Sequence, residues 1–431
     1  MTERTASDLL AAGLEALGVT RVFGEPTAVP WPGLTTVPVA DGVIADLLAD
    51  VDGRLDRVGA SWHDRVLRVS SRPGALVESV RIDRAESLAN ALATATTLGQ
   101  EVPDAFALQL DLDLAGPVPD GIEPKAAQTR IEGIRLSPGL APDLGVLVGP
   151  AVLRVLDGEG VVAHLQRFAA QTGLPVVNTW GAKGVFPWDS PFHAGTAGLQ
   201  ARDFELAGLT DKLAVVCIGV DPDELPPGGF GDAQRLDLHP VHLAFAAEGW
   251  PEPEGEPPRP PLYTDLAAVI GPAYESEAVP LHPARASRDL GALRPFGGVV
   301  VADPGPAGLW VARTFPTTEP GSVIVPGTNA PGTAAAAALL GGLDASRPAL
   351  GVTTWPLDPM TEALLDLARS LEVDLTLEAW GGEADLSSPD DRQEATAAAI
   401  ARFGVDVVPV PVDFRATADL VAVAGEISAW S

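Results

Sequence analysis

A chain of 431 residues is too long for one compact core and implies two to three domains. Apolar residues make up 46% and charged residues 20%, the balance of a globular protein rather than a disordered or fibrous one. The formal net charge of −30, from 58 acidic against 28 basic residues, argues against nucleic acid and anionic membrane surfaces as partners.

The first block spans 1–121. "ASDLLAAGLEALGV" carries Leu9, Leu10, Leu14 and Leu17 at helical period, and "TRVFG" follows as a strand closed by Gly24. The start lacks the basic residues and long apolar run of a signal peptide. No apolar run approaches the ~20 residues that cross a bilayer. A cytoplasmic protein is expected. "RIDRAESLANALATATTLG" reads as a helix. "AFALQLDLDL" reads as a strand whose alternation places Asp111 and Asp113 on one polar face.

The second block spans 140–248. "LGVLVGPAV", "LPVVNTW", "KLAVVCIGV" and "AQRLDLHPVHL" are strands, and "GVVAHLQRFAAQTG" is a helix between the first two. Alternation of buried strands with helices predicts a parallel, doubly wound sheet. The single cysteine, Cys217, lies in an apolar run and reads as a buried, inert thiol. Alone, it provides neither a disulfide framework nor a thiolate zinc site. Residues 249–289 form a linker, with "WPEPEGEPPRPP" its extended part.

The third block spans 290–431. "GGVVVADPG", "ALGVTT", "VDLTLEAW" and "VDVVPVPV" are strands. "APGTAAAAALLGGL" is a helix of small residues that can pack closely. "MTEALLDLARS", "DRQEATAAAIARFG" and "TADLVAVAGEISAW" are further helices. In "DPMTE", Asp358 is placed to cap a helix and Pro359 to occupy its first position. The fold class is α/β: three consecutive α/β domains with mostly parallel sheets.

These segments resemble thiamine-diphosphate-dependent enzymes of the acetolactate synthase type. "ASDLLAAGLEALGVTRVFGEP" is similar to that family's opening helix and strand, which end in a Gly-x-Pro turn at Gly24, Glu25 and Pro26. "GLPVVNTWGAKGVFPWDSPFHAGTAGLQARD" is similar to its central strand and Thr-x-x-x-Lys-Gly turn, here ending at Lys183 and Gly184. "VVVADPGPAGLW" and "VPGTNAPGTAAAAALLGGL" are similar to the first strand and small-residue helix of its third domain. The resemblance implies a pyrimidine-binding domain, a central domain and a diphosphate-binding domain. It also implies thiamine diphosphate with magnesium, and active sites formed between the first domain of one subunit and the third of another.

Several positions depart from the family pattern. The metal is held there by an Asp in a Gly-Asp-Gly turn and by an Asn after the next strand, because magnesium prefers hard oxygen ligands. Aligned on "MTEAL", the turn falls on Thr354, Trp355 and Pro356, and the Asn pair on Gly381 and Gly382. Neither an indole nor a bare backbone replaces those ligands, and Asp358 is the only nearby substitute. The cofactor-bending apolar residue falls in "GTNA", near Gly327, where Asn329 stands. For the activating glutamate of the first domain only Asp41 is available, one methylene shorter. "SSRPGALVESV" has Arg72 where the family's Ser-Gly-Pro-Gly turn has glycine.

No other motif carries chemistry clearly. His239 and His242 flank a proline without a third ligand, and His193 reads as a turn residue. "VGPAV" is short of a dinucleotide fingerprint. Three readings follow. One is a catalytically degenerate homologue with a structural or regulatory role, as a homodimer or beside an active paralogue. Another is an active carboligase or decarboxylase of 2-oxo acids. The third is a nucleotide- or flavin-binding protein that uses the central domain near Lys183 and Gly184.

Overall fold

The computed structural model describes residues 4–25, 31–55, 57–70, 79–99, 105–119, 122, 135–153, 158–225, 228–253 and 255–430. The chain divides into two compact units, Met1–Arg130 and Ile131–Ser431.

In Met1–Arg130 the first helix, α1 (Ala6–Ala16), opens on a capping box: the Thr5 hydroxyl accepts from the Asp8 amide, and Asp8 accepts from the Thr5 amide. The order continues β1 (Arg21–Gly24), β2 (Thr35–Pro38), α2 (Gly42–Arg54), β3 (Gly59–His63), β4 (Val66–Ser70), β5 (Ser79–Ile82), α3 (Ala85–Gly99) and β6 (Ala105–Leu110). They form one sheet in the order β2-β1-β3-β4-β6-β5. Every pair is parallel except the two involving β4. The β3–β4 hairpin turns at Asp64 and Arg65, both at positive φ (49° and 64°). Arg65 fixes the turn by donating to the carbonyls of Leu110 and Leu112, each at 2.8 Å. β6 stops at Leu110, so Asp111 and Asp113 do not form a strand face as the alternation suggested. Asp111 pairs with Arg81, and Asp113 accepts from the Ala115 amide in a turn.

Ile131–Ser431 holds two all-parallel sheets. The first contains β7 (Leu144–Val148), β8 (Val176–Thr179), β9 (His193–Ala197), β10 (Ala214–Ile218) and β11 (Gln234–Leu238), in the order β11-β10-β7-β8-β9. Its helices are α4 (Gly158–Thr172), α5 (Asp203–Leu206) and α6 (Leu243–Ala246). Four of its strands, β7 to β10, are buried throughout, which is why β7, β8 and β10 read as apolar runs. Two helices follow, α7 (Pro261–Ala273) and α8 (Pro283–Leu293). The extended part of the 249–289 linker is therefore confined to the residues before α7 and between the helices, and Trp250 is buried with its indole N–H on the Leu136 carbonyl.

The last sheet contains β12 (Val299–Ala302), β13 (Val323–Ile324), β14 (Ala349–Thr354), β15 (Leu375–Trp380) and β16 (Val405–Val410), in the order β13-β12-β14-β15-β16. Around it lie α9 (Pro306–Thr314), α10 (Thr333–Leu343), α11 (Pro359–Ser370), α12 (Pro389–Ile400) and α13 (Thr417–Ala424). Small residues bring α10 close to the sheet: a Cβ on Gly342 would lie 2.1 Å from the Asp374 carbonyl. One apolar cluster, including Leu147, Phe204, Leu262, Trp310 and Trp380, runs from the first of these two sheets to the second. Arg313 of α9 crosses the same boundary to Asp203 at 2.8 and 2.9 Å, with both groups buried.

Candidate functional site

The carboxyl ends of parallel strands are where an open α/β sheet places its ligands. In the last sheet those ends are Asp303 after β12, Thr354 and Trp355 closing β14, and Gly381 after β15. Three helices begin beside them, and each start already has a protein acceptor. Asp303 Oδ1 accepts from the Ala334 amide of α10 at 2.8 Å. Thr354 Oγ1 accepts from the Ala307 amide of α9 at 3.1 Å. Asp358 caps α11 by accepting from the amides of Met360 and Thr361 at 2.9 and 3.0 Å. The expected role of "DPMTE" as a helix start is observed, with Pro359 in the first turn.

Asp303 is buried, and burial pushes its carboxyl up to about 7. Hydrogen bonds from the Ala334 amide and Thr353 pull it back, and the nearby charge of Asp358 raises it further. This group can hold a proton near neutrality. The sequence had placed "VVVADPG" at a strand end without singling out its aspartate.

The other expected residues are placed as follows. Trp355 is 50% exposed, and its backbone amide is bonded to the Trp380 carbonyl. Gly381 has φ +88°, and a Cβ there would lie 3.3 Å from the Phe414 ring. Asn329 is exposed. Gly327 is buried against the carboxylate of Glu224: a Cβ on it would sit 3.0 Å from Glu224 Cγ and 3.1 Å from Oε1. Glu224 itself is fully buried and accepts from the Thr179 hydroxyl. It also fills the space beside Gly181, and the indoles of Trp180 and Trp430 both donate to the Pro326 carbonyl next to Gly327, at 3.0 and 2.8 Å. Nothing in "DPDELPPGG" marked Glu224 as a core residue, because an acid between prolines reads as a solvated turn.

In Met1–Arg130, Gly24 ends β1 with φ +154°, and a Cβ there would collide with the Trp62 carbonyl at 1.9 Å. Glu25 is exposed, and Pro26 lies outside the described residues, as do Arg72 and most of "SSRPGALVESV". Asp41 is exposed and caps α2, accepting from Val43 at 2.8 Å and Ile44 at 3.3 Å. One turn along α2, Asp46 receives the Ser61 hydroxyl and lies 3.2 Å from His63 Nε2. Sequence reasoning missed this Asp46–Ser61–His63 group, since the β3–β4 hairpin that presents it has no Asn-Gly or Asp-Gly signal.

In the sheet that begins with β7, Lys183 and His193 are both buried, and Gly184 (φ +93°) packs against Thr317 and Glu319. His193 opens β9 instead of sitting in a turn. Cys217 is buried in β10, and burial pushes its thiol up to about 12, as an inert core cysteine requires. His239 and His242 face each other edge-on at 6.2 Å. Among the described residues no group of three His, Cys, Asp or Glu side chains is arranged to hold a metal ion. No described helix is long and apolar enough to cross a membrane.

Comparison with known proteins agrees with this architecture. Solved structures with similar folds include an enzyme from Mycobacterium smegmatis assigned as thiamin diphosphate-dependent (17% identity, TM-score 0.66). They also include the benzoylformate decarboxylase of Polynucleobacter necessarius (14%, 0.66) and the thiamine diphosphate-dependent 4-hydroxybenzoylformate decarboxylase of Rhodococcus jostii RHA1 (15%, 0.68). Each similarity covers 95% of this chain and 99% of the other. No curated protein matches the sequence. Residues 148–237 match the family described as thiamine pyrophosphate enzyme, central domain, and the chain as a whole has the fold of the thiamine-diphosphate-dependent enzymes.

Proposed function

We propose that this chain is an acetolactate-synthase-like homologue of the thiamine-diphosphate enzymes that no longer anchors the cofactor and acts as a structural or regulatory subunit of a cytoplasmic dimer. The observation that carries the reading is the end of the last sheet. By the resemblance, the metal ligands fall on Trp355 and Gly381, which offer none. In support of this, one or two amides at each of the three helix starts beside them are bonded to Asp303, Thr354 and Asp358. A helix start attracts phosphate because its amides lack partners and its dipole is positive. Here protein oxygens accept from some of those amides, and the Asp358 carboxylate among them would repel a diphosphate. The side of Gly327 is likewise filled by Glu224. The residues present do not fit thiamine diphosphate with magnesium, so no catalytic step is derived through it.

A second reading, an active decarboxylase, draws support from two similar structures described as benzoylformate-type decarboxylases. The test is carbon dioxide release from pyruvate and from benzoylformate, with thiamine diphosphate and magnesium in excess. The proposal expects none above a protein-free control. Turnover of either acid would establish the decarboxylase instead.

A further inference from the structure

Five α-helices among the described residues open on a side chain that accepts from a backbone amide. Four use a hydroxyl or a carboxylate: Thr5, Asp41, Asp358 and Ser388. The fifth, α8, opens on His282, whose Nδ1 accepts from the Ala284 amide at 3.1 Å. Histidine is not among the residues that ordinarily serve there. A backbone N–H only donates, so this bond needs the lone pair of Nδ1. The capping imidazole is therefore neutral, with its proton on Nε2. An imidazolium carries donors at both nitrogens and cannot make the bond. It would also bring positive charge to the helix end whose dipole is already positive.

The cap stands where three elements meet. Leu281, just before it, is bridged to Val412 after β16, donating to the Pro411 carbonyl at 2.7 Å and accepting from the Asp413 amide at 2.9 Å. The imidazole meets the Trp310 ring of α9 edge-on at 5.4 Å. The Trp310 indole N–H in turn donates to Thr417 Oγ1 at the start of α13, at 2.9 Å. One ring thus ties the first turn of α8 to α9 and to the segment from β16 to α13.

The charges that bear on this ring are Asp419 of α13 and Asp413 of the segment before it. Asp413 is held by Arg415 at 2.6 and 2.8 Å. The other charged groups nearby are paired among themselves. Glu275 and Glu277, after α7, bind Arg288 and Arg285 of α8, and Asp289 also binds Arg285. Arg313 of α9 binds Asp203, and Arg392 of α12 binds Glu378. Burial holds His282 below the ordinary histidine value of 6.5, and the two aspartates offset part of that. Just below 6.5 the unfolded chain therefore binds more protons here than the folded chain. The contribution of the cap is complete above about 6.5 and is lost as pH falls through the lower, folded value.

We propose that His282 is an acid-operated latch: the neutral imidazole fastens the first turn of α8 against α9 and the β16–α13 segment, and its protonation releases that turn. The latch operates whether or not a cofactor binds.

The experiment is amide hydrogen exchange of the full chain from about pH 7.5 to about pH 5.5, corrected for the intrinsic rate. Protection of the Ala284 amide is expected to fall about fivefold, the weight of one lost N-cap. His282→Asn keeps a capping acceptor without an imidazole and is expected to hold its protection across the range. A second measurement needs no variant. The nitrogen resonances of the His282 imidazole, followed by NMR in the wild type, are expected to titrate with the same midpoint as the Ala284 exchange. An unchanged protection in the wild type, the same loss in His282→Asn, or two different midpoints overturns the proposal.

Discussion

Gly327 and Asp303 show how single residues divide the competing accounts of the last sheet. If Gly327 were needed only to make room for a cofactor, Gly327→Ala would leave stability unchanged. Its neighbour is instead the Glu224 side chain, 3.0 Å from where the new methyl would sit. Overpacking of this kind costs about 1–3 kcal/mol, so chemical denaturation should show a loss in that range without any cofactor present. Asp303 makes a pH prediction. Its folded pKa is raised to about 7, above an unfolded value near 4, so between those values the folded state binds more protons. Its contribution to stability therefore declines as pH rises from about 4 to about 7. Asp303→Asn removes that part of the slope, and the variant gains on the wild type by up to roughly 4 kcal/mol at pH 8. Parallel pH profiles for the two proteins would contradict the assignment.

At the scale of elements, the caps carry the argument. Asp358 accepts from two amides and from the Thr361 hydroxyl at 2.6 Å, so Asp358→Ala should lose about 1 kcal/mol, equally with and without magnesium. A magnesium-dependent loss in the same denaturation experiment would make it a metal ligand. This cap was legible in the sequence, because Asp-Pro before an apolar periodic run is a strong helix start. So were β7, β8, β10 and β14, whose burial on both faces makes them continuous apolar runs. The β3–β4 hairpin was not legible. Its turn residues, Asp64 and Arg65, adopt positive φ without a glycine, held there by the contacts of Arg65 with the end of β6. Asp111 and Asp113 misled for a related reason: the alternation outlasts the ladder, which ends at Leu110. Lys183 and Glu224 were hidden by their charge, which in a single sequence reads as exposure, while burial is settled by residues distant in the chain, such as Thr179 beside Glu224.

For the whole molecule, the excess of acidic residues has a thermodynamic consequence. Like charges at this density repel within the folded chain, and salt screens them over about 10 Å at 0.1 M. Melting temperature should therefore rise as sodium chloride is raised from low to moderate concentration, as followed by scanning calorimetry. A flat response would mean that pairing within the folded state already balances the repulsion. The larger claim is that the fold of the thiamine-diphosphate enzymes persists while its cofactor anchor is gone. The most direct test is calorimetric titration of the folded protein with thiamine diphosphate and magnesium. The account predicts no magnesium-dependent heat of binding. Saturable, magnesium-dependent binding at micromolar affinity would contradict it and assign the ends of β12, β14 and β15 to a working cofactor site.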